Sequence, residues 1–338
     1  MNARIRIQTL VAGASLAAIG LMTTATVTTA HAQTFPAKPI TMVVPYPAGG
    51  PSDHIARQVQ TLASQNVGQN IIVENIGGAS GTIGVTRALS APADGHTVIL
   101  GSPMELILSP LAVQGARYKT EDMKLVAYLS STSTILAVRS NLGVNSVSEL
   151  IALAKKSTGR PLSYGSVGVG SLYHLIGEKL SQDARIPLTH VPYRGIAPVL
   201  TDLMGGQIDM AFLPMAGSIM QTINEGKVRG LGVTARQTHP LFSQYPALAT
   251  MPGLEALEFE VWAGVQVHKD TPDAVVQRLS QAFYTALQNP DVRKSIEATG
   301  NNVMSPRNPA ELAKLFKQET ERYRAIAKSI DLQAQAAQ

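Results

Sequence analysis

The chain has no cysteine. That excludes disulfide scaffolds, thiol nucleophiles and cysteine metal sites, and it suits an oxidising compartment where a stray thiol is a liability. Aromatic residues make up only 5% of the 338, with one tryptophan, so the core must be largely aliphatic. Charged residues make up 15% and mix in sign along the chain. No basic cluster of the kind nucleic acid requires is present.

Catalytic signatures are missing as well. The sequence contains no Gly-x-Ser-x-Gly, no His-Glu-x-x-His, no Walker loop ending in Gly-Lys-Ser/Thr and no Gly-x-Gly-x-x-Gly. His54, His96, His174, His190, His239 and His268 match no zinc spacing. A secreted Ser-His-Asp hydrolase therefore lacks its nucleophile elbow, and neither metal nor cofactor is expected.

The amino terminus reads as an export signal. Arg4 and Arg6 form a positive region, Leu10 to Val27 is apolar or small, and Ala30-His31-Ala32 is a small-x-small cleavage site. Removal of residues 1–32 would leave residues 33–338 in the periplasm of a Gram-negative bacterium. It would lower the net charge of +5 by the two arginines. No later stretch is long and apolar enough to span a bilayer.

The remaining length suits two domains. Short apolar runs alternate with helical stretches, which predicts an α/β fold of mostly parallel sheet flanked by helices. The strand-like runs include Ile40–Val44, Lys124–Leu129, Ile135–Val138, Pro161–Tyr164, Ile208–Phe212 and Val261–Val267. The helix-like runs include Ser52–Ser64, Gly81–Leu89, Ser171–Leu180, Pro272–Leu287 and Pro309–Lys328. Thr271-Pro272 and Asn308-Pro309-Ala310-Glu311 have the layout of helix starts, with proline in the first turn. The runs around Leu129–Val138 and Phe259–Val267 are places where the chain would cross between domains. That gives a discontinuous first domain, 33–130 plus 258–338, and a second domain, 131–257.

Two glycine-rich loops each lead from a strand into a helix: Pro45-Tyr46-Pro47-Ala48-Gly49-Gly50-Pro51-Ser52-Asp53 and Gly165-Ser166-Val167-Gly168-Val169-Gly170-Ser171. Glycine lets backbone approach a ligand, and the following helix presents unpaired N–H groups and a positive dipole end. The pair predicts a small anion held between two domains. Candidate contacts are Tyr46, Ala48, Gly49, Gly50 and Ser52 in the first loop, and Ser166, Gly168, Gly170 and Ser171 in the second. Tyr193 and Arg194 follow another strand, and Ser131, with Thr132 and Ser133, offers hydroxyls near the crossing. Asp53 has two readings, a helix-capping acid or a group that orients water or accepts from a ligand donor. His174 is read as a structural hydrogen-bond partner. The run Asn75 to Thr82 is read as the edge of the cleft.

Several stretches in order resemble the Bug-type substrate-binding proteins of tripartite tricarboxylate transport systems. They are Phe35-Pro36-Ala37-Lys38-Pro39-Ile40, Val43-Val44-Pro45 with Gly49-Gly50-x-x-Asp53-x-x-Ala56-Arg57, and Val73-Glu74-Asn75-x-x-Gly78-Ala79-x-Gly81. Ala91-Pro92-Ala93-Asp94-Gly95-His96, the second glycine loop with His174-Leu175, His190-Val191-Pro192-Tyr193-Arg194-Gly195, Asp202 to Asp209 and Trp262-x-Gly264 complete the set. The resemblance implies a two-domain clamshell (type II periplasmic binding protein, or Venus flytrap) fold. It implies a monomer that binds a small carboxylate in the cleft, partly through ordered waters. It also implies delivery to a transporter of one large and one small membrane subunit, without catalysis. A carboxylate sensor would use the same clamshell, its closed form contacting a signalling partner instead of a transporter. Two departures stand out: His96 where many relatives have tyrosine, and Leu213-Pro214 where many have an aspartate. The second leans towards an aromatic or less charged acid.

Overall fold

The computed structural model describes residues 35–157, 159–215, 217–235 and 242–332. The export signal and His239 lie outside the described residues. No helix among the described residues is long and apolar enough to cross a membrane.

The chain opens with β1 (Ile40–Val44), α1 (Pro51–Val67), β2 (Ile71–Asn75), α2 (Thr82–Leu89) and β3 (Thr97–Gly101). A π-turn at Met104–Leu108 runs into the short α3 (Ser109–Ala112), and β4 (Met123–Arg139) follows. Next come α4 (Val147–Lys156), β5 (Leu162–Ser166), α5 (Leu172–Ala184), β6 (Leu188–Pro192), α6 (Ile196–Met204), β7 (Met210–Pro214), α7 (Gly217–Asn224) and β8 (Val228–Val233). The chain closes with β9 (Glu260–His268), α8 (Asp273–Gln288), α9 (Pro290–Glu297), β10 (Asn302–Val303) and α10 (Pro309–Ser329).

The strands pair in the order β2-β1-β3-β9-β4-β7-β5-β6, with β8 and β10 also on β4. The sheet is mixed: β1 runs parallel to β2 and β3, and β5 runs parallel to β6 and β7. The ladders along β4 and β9 are antiparallel. The two runs expected at 124–129 and 135–138 are one strand. The hydroxyl residues Ser130 to Thr134 interrupt the apolar pattern that the sequence reading followed. They are nonetheless buried, and strand pairing continues through them. Partners change there, from β9 up to Ser133 to β7 and β8 from Thr134 and Ile135 on. The Thr134 and Thr234 hydroxyls meet at 2.8 Å, satisfying two buried polar groups at the changeover.

Local signals explain most helix ends. In α10 the Asn308 side chain accepts from the Glu311 N–H at 3.0 Å, and Glu311 accepts from the Asn308 N–H at 2.9 Å, a reciprocal capping box with Pro309 in the first turn. Pro272, expected inside the first turn of α8, instead caps it, and Asp273 is the first helical residue. Helix α9 was not foreseen, although Asn289 caps it by accepting from Asp291 and Val292. Ile55, Val59, Ala63 and Val67 recur at helical spacing along α1 and face a core shared with α8 and α9. A second core lies under α6 and α7. A third joins the π-turn, the start of α5, Trp262 and α10.

Candidate functional site

The first loop leaves β1 and enters α1 with no side chain capping that helix. Pro47, Ala48 and Gly49 are exposed, and Gly50 and Ser52 are half-buried. The N-cap position therefore gives the first N–H groups of α1 no side-chain acceptor. The loop is braced from below. Asp53 accepts from the Gly49 N–H at 2.9 Å and from Arg57 Nε at 3.0 Å. Arg57 also donates to Asn75 Oδ1 at 3.3 Å, and Asn75 donates to the Tyr46 carbonyl at 3.1 Å. Burial pushes the Asp53 carboxyl up, but bonds from Arg57, Gly49 and Asn75 outweigh it and hold the group below its ordinary value. These contacts make Asp53 a brace of the loop and not the helix-capping acid of the sequence reading, since the N–H it accepts belongs to Gly49, outside α1.

The second loop is fixed by buried polar groups. Ser166 Oγ lies 2.6 Å from His190 Nε2 and 3.1 Å from the Gly168 N–H. Ser171 caps α5 by accepting from the His174 N–H at 3.3 Å. His174 Nδ1 accepts from the Gly170 N–H at 3.3 Å, which matches its reading as a structural partner. The rings of His174 and His190 lie 4.2 Å apart, and burial pushes both imidazoles down to about 4. Both are neutral at neutral pH, so the loop keeps its acceptors.

Between the loops lies a turn that sequence reasoning treated as an edge. Gly78, Ala79, Ser80 and Gly81 all have positive φ, at 122°, 46°, 52° and 86°. Two consecutive non-glycine residues in that region are uncommon and mark strain held by the surroundings. The Ser109 hydroxyl donates to the Ser80 carbonyl at 2.8 Å. A Cβ on Gly77 would lie 3.2 Å from Pro47 Cδ, and one on Gly168 would lie 3.5 Å from Ser80 Oγ. The turn thus touches the first loop on one side and the second loop on the other.

Below this turn sits Glu105, which sequence reasoning also missed. It has no accessible surface. Its carboxyl accepts from the Ser102 N–H, from the Ser102 hydroxyl at 2.8 Å and from the Tyr46 hydroxyl at 3.0 Å. A lone acid in the apolar run from Ile99 to Leu108 was the available signal.

The other predicted residues separate. Tyr193 lies beside the second loop: its N–H donates to the Ser166 carbonyl at 2.8 Å and its hydroxyl to Asp202 at 2.7 Å. Arg194 is exposed. Ser131 is buried in mid-β4, opposite Trp262 and Asn302, and the Thr132 hydroxyl donates to the Gly300 carbonyl at 3.4 Å. Leu213 packs with Ile135, Val199 and Leu203 in the core under α6, so it offers no apolar surface to a ligand. The lean towards an aromatic acid loses its support there. His96, the other departure, accepts from the Ala37 N–H at 3.1 Å and packs on Phe35, which gives it a structural role.

Residues 55–332 match the family described as the tripartite tricarboxylate transporter family receptor. The chain belongs to that family. The family comprises solute-binding receptors, not enzymes. Among relatives, the UPF0065 protein in the tcbD–tcbE intergenic region of Pseudomonas sp. (strain P51) is 35% identical over 313 residues, 92% of each chain. Among solved structures, the periplasmic binding protein BugD superposes with a TM-score of 0.79 at 28% identity, covering 88% of this chain and 99% of BugD. MatC from Rhodopseudomonas palustris, solved with bound malate, gives a TM-score of 0.77 at 29% identity, covering 86% and 99%. The fold is that of the periplasmic binding proteins, as the sequence led us to expect.

Proposed function

We propose that this receptor captures a small carboxylate between its two glycine loops and hands it to the membrane subunits of a tripartite tricarboxylate transporter. The observation that carries this reading is the convergence at the site. The start of α1, which no side chain caps, and the start of α5, capped by Ser171, come from opposite halves of the sheet and flank the Gly78–Gly81 turn. Two helix dipoles of like sign there favour an anion. The malate in MatC supports the same class of ligand.

The ligand-facing groups on this reading are Ala48, Gly49, Gly50, Ser52, Gly168, Gly170 and Ser171, with Tyr46, Ser166 and Tyr193 around them. Asp53 and the buried histidines hold the loops in shape. Residues 33–130 plus 258–338 form one lobe and 131–257 the other, joined through β4 and β9. Ligand that binds the closed form better than the open form drives closure. Residues 1–32 direct export to the periplasm, where the receptor works as a monomer.

A thermal-shift screen against succinate, malate, adipate, citrate and their neutral amides tests this. A ligand at a hundred times its dissociation constant adds about 2.7 kcal/mol of stability. Stabilisation by one or more acids and by none of the amides is expected. Equal effects of acids and amides, or none from any acid on protein shown by mass spectrometry to be ligand-free, would contradict the reading.

A further inference from the structure

Glu105 lies where the elements of the site meet. Tyr46, from the first loop, donates to its carboxyl, and the Gly81 end of the strained turn lies against its Cβ. Tyr173, the second residue of α5, feels its charge, as does Tyr118, whose hydroxyl donates to the Glu105 carbonyl. The adjoining α3 contributes Ser109, and α10 contributes Leu312 and Phe316 to the surrounding core. The strongest influences on the carboxyl are burial and hydrogen bonds from Ser102, from its own N–H and from Tyr46. None of these is a cation. A carboxyl with no accessible surface and, among the described residues, no ion pair is poorly placed to stay ionised. Burial pushes it up to about 7.

An anion seated at the first loop would sit near Glu105, through Tyr46, only two residues before Ala48. Ionised Glu105 opposes that anion and neutral Glu105 does not. We propose that Glu105 is the proton-linkage residue of the carboxylate site, taking up one proton from solvent on Oε2 when an anionic ligand is captured. With that oxygen protonated, the Tyr46 hydroxyl no longer faces an ionised acceptor and can turn its proton towards the ligand. The inference rests on the carboxylate reading above. Asp53 is held low and His174 and His190 are pushed down to about 4, so these loop groups do not mimic the effect between pH 6 and 8.5.

The test is calorimetric titration of the protein with malate and with adipate at pH 6, 7 and 8.5, each in a pair of amine buffers that titrate at that pH and differ in ionisation enthalpy. At pH 8.5 the wild type should take up close to one proton per ligand, and affinity should fall up to about tenfold per pH unit above 7. Glu105→Gln should bind at pH 8.5 with little proton uptake and a flat profile. Wild-type binding with no proton uptake and no pH dependence would overturn this inference and leave the carboxylate reading standing. Failure of both acids, and of the wider panel, to bind at pH 6 would overturn both. A ligand-free arm uses infrared titration of wild-type protein carrying carboxyl-labelled glutamate. A buried protonated carboxyl band present at pH 6 and titrating near 7 is expected, and its absence at pH 5.5 would overturn the inference even if Glu105→Gln failed to fold.

Discussion

Replacing Gly49 and Gly170 by alanine, one at a time, separates two physical effects that the loops combine. Both glycines have φ near 81°. An L-residue held there costs about 1–2 kcal/mol. A Cβ at Gly49 would find nothing within 4 Å, whereas a Cβ at Gly170 would lie 2.3 Å from Ala112 Cβ. That overlap forces backbone or helix α3 to shift, at about 1–3 kcal/mol for an overpacked site. Gly49→Ala should therefore lose about 1–2 kcal/mol and Gly170→Ala about 2–5 kcal/mol. Urea unfolding followed by circular dichroism reads both, provided the slope with denaturant stays constant. Equal losses, or a larger loss at Gly49, would refute the claim that the second loop is packed against α3 while the first stands open. Because Gly49→Ala keeps the fold, any loss of carboxylate affinity in it reports on the loop itself.

Other outcomes follow from the braces and the buried titratable groups. Asp53→Ala removes a buried charged acceptor from Gly49 and Arg57 and should cost about 1–3 kcal/mol by urea unfolding. Since the folded carboxyl is held below its ordinary 3.8, the wild-type advantage should be complete above that pH and fade as pH falls through the lowered value; an advantage that grows in acid would contradict this. His174→Phe leaves the buried Gly170 N–H without its acceptor and should cost about 1–3 kcal/mol, checked by the shift in thermal midpoint. For Glu105 the sign is opposite to that of Asp53. Its folded carboxyl binds the proton more tightly than the unfolded one, so its contribution is complete below pH 4.5 and is lost as pH rises through about 7. Relative to Glu105→Gln, the wild type should lose up to about 3 kcal/mol between pH 4.5 and 7, and a constant difference would contradict the assignment.

Much of the architecture was legible because strong local signals agreed with the tertiary structure. β1 and α8 follow their expected runs to within a residue, and the Asn308 to Glu311 box starts α10 where its pattern says it should. The two glycine loops were legible for the same reason, since proline and glycine next to a helix start leave few backbone alternatives. What was not legible depended on distant partners. The hydroxyl run Ser130 to Thr134 reads as a break, yet it is mid-strand because β9, Thr234 and β10 satisfy it. Ala79 and Ser80 carry no local mark of their left-handed backbone, which Ser109 and the neighbouring loops support. Leu213 stands where many relatives have an aspartate, but strand alternation turns it into the core under α6. Glu105 lies in an apolar run, and only the approach of Tyr46 and Tyr173 gives it a setting.

The most direct measurement is the amide spectrum of nitrogen-labelled protein during titration with the best acid from the screen. The account predicts saturable shifts, at one common dissociation constant, in Gly49, Gly50, Ser52, Gly168, Gly170 and Ser171. Shifts that leave these six unmoved and gather elsewhere, such as along α6 or the β2 edge, would contradict a carboxylate site built from the two loops.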